Sequence, residues 1–116
     1  MSADPRIERL VDMSDGELYS ELGRELLGGG AGFGGEDLAR ARRYARQWFD
    51  ERLEQLTREV CSNRAVRQML EHETGDRLTE IAVVVDAMDS LNGHPSAVVV
   101  AVIVVRRGLE ALCSGR

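Results

Sequence analysis

The sequence contains no lysine: all 15 of its basic residues are arginine. That bias points to a GC-rich coding sequence before it says anything about function. Aromatic residues make up only 4%, and there are two prolines, two histidines and two cysteines. Cys61 and Cys113 lie far apart, and neither belongs to a closely spaced pair of the kind that builds zinc or redox sites. Both are therefore expected to pack as small apolar side chains. The apolar run Ala97 to Val105 is nine residues long, well short of the roughly twenty that a helix needs to cross a hydrocarbon core. Met1 to Arg6 lacks the basic-then-apolar plan of a secretory signal. A cytoplasmic protein without a membrane span is the expectation. The net charge of -5 favours solubility and opposes non-specific attraction to nucleic acid or anionic lipid.

What is present is enough apolar material for one core. A chain of 116 residues, 43% of them apolar, reads as a single domain over residues 1–116 that requires neither metal nor disulfide. The stretch from Ser96 to Cys113 organises the rest. Ala97 to Val105 has no polar side chain and must be covered on every side. Val98, Val102, Val105, Leu109 and Leu112 recur at alternating steps of four and three, the spacing that keeps one stripe on one side of a helix. The pattern predicts one C-terminal helix that starts deep and ends amphipathic.

Earlier segments carry helix punctuation. Asp4 and Pro5 read as an N-cap and first helical residue, followed by Ile7, Leu10 and Val11 on one face. Ser14 to Glu17 spells a capping box opening a second helix, whose Leu18, Leu22 and Leu26, flanked by Tyr19, are apolar until Gly28. Residues 28 to 35 form a glycine-rich loop between helices two and three. The loop contains a G-x-G-x-x-G pattern, but a helix precedes it and Glu36 and Asp37 follow, the wrong surroundings for a dinucleotide phosphate. Phe33 stands alone on this loop and either tucks back or meets a partner.

The third helix is the longest, with Leu38, Ala41, Ala45, Trp48, Phe49, Leu56 and Val60 on its core face and Arg52 snorkelling from the same side. Ser62 and Asn63 offer capping oxygens for a bend into a helix through Val66, Met69 and Leu70, closing at Thr74 and Gly75. Asp76 caps a fifth helix with Leu78, Ile81, Ala82, Val85 and Met88 on one side. Asn92 to Pro95 stops it, and Ser96 caps the last helix. Residues 81–85 and 98–105 are also rich in β-branched side chains that suit a hairpin. Caps, stops and periodicity agree on helices, and that agreement across levels selects the all-α reading.

Chemistry-bearing constellations are weak. Glu71, His72 and Glu73 point about 100° apart on a helix and cannot converge on one ion, and Asp86 and Asp89 form an ordinary solvated pair. His94 belongs to a turn. No serine or cysteine has a base at a familiar motif distance, so no catalytic residue, metal or cofactor is assigned. Arg42, Arg43 and Arg46 form a basic patch, with Tyr44 and Trp48 close by. It suits an anion or an acidic protein partner better than nucleic acid, because carboxylates balance the helix as a whole. Arg106 and Arg107 complement a helix dipole. Val100, Ile103 and Val104 lie opposite the main stripe of the last helix and must be covered either by the chain itself or by a partner.

These features predict a compact all-α bundle of five to six helices, with the hydrophobic C-terminal helix at its centre or at an interface. In helix number and size alone it resembles death-fold adaptor domains and small helical subunits of bacterial defence or enzyme complexes. The functional expectation is a non-enzymatic interaction module or accessory subunit with a protein partner or a second copy. Its candidate contact residues are Phe33, Val100, Ile103 and Val104, beside the patch Arg42, Arg43 and Arg46. The alternative is a small nucleic-acid or nucleotide binder using that patch.

Overall fold

Ser14 starts the second helix as a complete capping box: its hydroxyl accepts from the Glu17 N–H at 3.1 Å, and its own N–H donates to Glu17 Oε1 at 2.8 Å. Two donors that the helix leaves open are thus satisfied locally. The computed structural model describes residues 5–28, 35–72 and 76–114. Among them are seven α-helices and no strand: α1 (Pro5–Val11), α2 (Asp15–Leu26), α3 (Gly35–Ser62), α4 (Arg64–His72), α5 (Arg77–Ala87), α6 (Ala97–Arg107) and α7 (Leu109–Cys113). The all-helical expectation holds, and the hairpin alternative falls away. Asp4, Phe33, the rest of 29–34, Glu73, Thr74 and Gly75 lie outside the described residues.

Local chemistry sets most boundaries. Asn63 interrupts α3 and α4 by accepting from the Val66 N–H at 3.1 Å, which makes the bend expected at that point. Asp76 accepts from the Leu78 N–H at 3.1 Å and from the Thr79 hydroxyl at 2.7 Å, capping α5. After α5 a 3₁₀ turn over Asp89–Leu91 leads to Gly93, whose φ of 80° needs no Cβ in the way. Ser96 departs from expectation. Its backbone is already helical, its side chain makes no cap, and its N–H donates to His94 Nδ1 at 3.0 Å.

Packing follows the apolar faces of α2 and α3. Leu18, Tyr19 and Leu22 are buried on α2, and Ala41, Ala45, Trp48, Phe49, Leu56 and Val60 on α3, where the two helices pack together. Arg52 snorkels as expected, stacked over the Trp48 ring at 4.3 Å. In α5 the buried residues are Ile81, Val84 and Ala87, while Ala82 is exposed and Leu78 and Val85 are half-buried. The expected face was therefore rotated. Five consecutive apolar residues leave the periodicity flat, so packing on α6 selects the face.

α6 lies against α5, α1 and α2. Val100, Ile103 and Val104, taken as candidate contact residues, are only 0%, 3% and 1% exposed. In the isolated chain they are buried, with Ile103 at the base of a cleft. The expected single C-terminal helix is corrected to two. Gly108 has φ 99° and donates to both Val104 and Val105 carbonyls, ending α6 and turning α7 back toward α3. That turn joins Cys113 to Cys61 in a disulfide, with Cα atoms 5.5 Å apart. The cysteines are thus a covalent tie between helix ends and not two separate apolar thiols. No helix among the described residues is long and apolar enough to cross a membrane.

Candidate arginine-lined docking cleft

Tyr19 is buried to 6% exposure because α2 presses it against α3, where its ring meets Phe49 edge-on with centroids 6.1 Å apart. Its two polar-facing features are both claimed by arginine. Arg46, from α3, lies over the ring face at 5.0 Å. Arg107, from the last turn of α6, donates to the Tyr19 hydroxyl at 2.9 Å and stacks over Phe49 at 4.9 Å. Cation–π contact of this kind positions a guanidinium without using its N–H donors.

Around these groups opens a cleft of about 300 Å³, walled by Tyr19, Ile103 and the three arginines 46, 106 and 107, with Asp15 and Asp50 at its edge. Arg106 is anchored by donating to the Val11 carbonyl at 2.7 Å, where a cation also meets the negative end of α1. Asp15 lies 3.6 Å from Arg106 and Asp50 lies 4.0 Å from Arg107, and the two carboxylates are 70% and 66% exposed. Exposed pairs at such distances are weak, with a median near 0–1 kcal/mol. Arg46 makes no hydrogen bond or ion pair with a described residue.

The patch read from sequence is divided by the fold. Arg42 and Arg46, one turn apart, reach across α2: Arg42 Nε donates to the Ser20 hydroxyl at 3.0 Å and its guanidinium lies beside Gly16. Arg43 and Arg40 are exposed and have no partner among the described residues. Trp48 is buried, whereas Tyr44 is 44% exposed. Arg107, Arg106, Tyr19, Asp15 and Asp50 were not singled out as site residues from sequence. The tandem arginines read as dipole partners, and nothing in their spacing connects them with residues on two other helices.

Glu71, His72, Asp86, Asp89 and His94 do not converge. The first four are exposed, and His94 is held in its turn by the Ser96 N–H. Among the described residues no three His, Cys, Asp or Glu side chains are grouped to hold a metal. No family model, curated protein or solved structure matches this chain, so only its own residues bear on what it does.

Proposed function

We propose that this chain is a non-enzymatic helical interaction module, an accessory subunit of a bacterial cytoplasmic complex, that engages an acidic protein partner through the first half of α3. Death-fold-like adaptors of defence systems are one form such a module takes. The observation that carries the reading is the charge order along α3. From Arg40 to Arg46 there are four arginines and no carboxylate, all four exposed, on a chain whose net charge is -5. A basic strip attracts an acidic partner, while the net negative charge of the whole chain opposes association of further copies, which favours specificity and association rate.

The test is a charge reversal. Arg40→Glu with Arg43→Glu should abolish recovery of the native partner from the source organism at low salt while leaving the helical circular dichroism unchanged. Recovery that ignores the reversal counts against this surface. Solution mass alone and with the partner separates a mixed complex from a homo-oligomer. A second reading, binding of single-stranded nucleic acid, is favoured by the exposed Tyr44 beside Arg40 and Arg43. Salt-dependent binding of an oligonucleotide, lost in the same variant, would select it.

A further inference from the structure

The cleft between α2, α3 and α6 holds two guanidinium groups whose positions are fixed by aromatic rings and whose hydrogen-bonding edges are largely unspent. Arg46 rests on Tyr19 and forms no ion pair with a described residue. Arg107 uses one donor on the Tyr19 hydroxyl, and the fork of a guanidinium carries five. The resident carboxylate, Asp50, is 4.0 Å away and mostly in water, too far for a hydrogen bond.

We propose that this cleft seats one carboxylate side chain, a glutamate or aspartate from an acidic segment of the partner, with Arg46 and Arg107 as its fork and Asp50 as the counter-ion it displaces. The inference rests on the interaction-module reading and assigns that reading a recognition site. Three arginines and two aspartates leave the cleft with one net positive charge, the complement of a monoanionic carboxylate and a poorer match for a phosphate dianion. Planar guanidinium donors also fit a planar carboxylate with two parallel hydrogen bonds. Ring stacking restrains both arginines beforehand, so less side-chain freedom is lost when the anion arrives.

The experiment titrates the full chain with a hexaglutamate peptide at low salt, following the arginine Nε–Hε signals by NMR and affinity by calorimetry. The Arg46 and Arg107 signals should move. Arg46→Gln and Arg107→Gln should each weaken binding about tenfold, and Arg107→Lys, which keeps the charge but loses the fork, should weaken it too. Asp50→Asn should tighten binding about threefold by removing the competitor, a gain that damage to the fold cannot imitate. Arg58→Gln, on the distal half of α3 where Arg58 pairs with Glu54, should change nothing. Absence of binding at millimolar peptide, or an Asp50→Asn variant that does not tighten it, overturns the cleft assignment. Inorganic phosphate binding as tightly as the peptide overturns the carboxylate assignment. If affinity instead depends on Arg40 and Arg43 and ignores Arg46 and Arg107, the cleft falls and the interaction-module reading stands.

Discussion

Gly23 and Ala41 bring α2 and α3 together so closely that a Cβ placed on Gly23 would overlap the Ala41 carbonyl and methyl group. The obstacle is main chain, which cannot swing aside as a long side chain would. Alanine is the better helix former by about 1 kcal/mol, so propensity alone predicts that Gly23→Ala stabilises α2. Overpacking against backbone reverses the sign. Gly23→Ala is expected to lower stability by about 1–3 kcal/mol, read as a shift in urea midpoint. An unchanged or raised midpoint would mean that the two helices are free to separate.

The Cys61–Cys113 tie encloses 52 residues of sequence separation. Chain entropy assigns a closed loop of that size about 4 kcal/mol, counted through the unfolded state. Reduction, or the paired change Cys61→Ser with Cys113→Ser, should lower stability by up to that amount. The loss should begin at α7, a five-residue helix too short to persist on its own. Amide exchange of residues 109–113 with and without dithiothreitol checks this order. Protection that survives reduction would show that Leu109 and Leu112 alone hold α7. In a cytoplasm kept reducing by glutathione the tie would open, so the oxidation state found in native extract also bears on where the protein works.

What could be read from sequence was whatever chemistry is local. Ser14, Asn63 and Asp76 mark helix starts because a capping oxygen needs only the next three residues. The core face of α3 was legible because its polar residues define the opposite side. The face of α5 was not, since Ile81 to Val85 are apolar all round. Gly108 falls inside the periodic stripe, and its positive φ answers to a tertiary demand, the docking of α7 on α3. The cleft depends on Tyr19, Arg46 and Arg107 from three helices, and the disulfide on two helix ends. Both are products of topology, which no spacing rule encodes.

Val100 and Ile103 separate a covered helix from a binding surface. Both are nearly inaccessible in the isolated chain, but Ile103 borders the cleft arginines, so it is Val100→Asp that places a carboxylate among apolar side chains away from them. A loss of about 3–5 kcal/mol is expected, the scale of an uncompensated buried charge. That is enough to unfold a domain of ordinary stability. Circular dichroism should show lost helix in the Val100→Asp variant. Folded monomers with lost partner binding would instead mean that α6 opens to a partner.

Glu25 gives the fold a pH dependence of unusual sign. Its side chain is 20% exposed and pairs with Arg6 at 2.6 Å. Burial raises its pKa above the ordinary glutamate value, a shift that the Arg6 guanidinium opposes. The folded state thus holds this proton more tightly than the unfolded chain does. Its stabilising contribution is complete below the unfolded pKa and disappears as pH rises through the folded one. Glu17 and Asp76 act the other way: cap hydrogen bonds lower their pKa values, so their contributions are present at neutral pH and are lost in acid. Total stability mixes both signs, but the difference between the native chain and Glu25→Gln isolates one. Glutamine cannot ionise, so relative to the native protein the variant should gain stability as pH rises from the ordinary glutamate range toward neutrality. Urea unfolding of both proteins across that range checks it. Parallel curves would mean that Arg6 compensates the burial penalty of Glu25 fully.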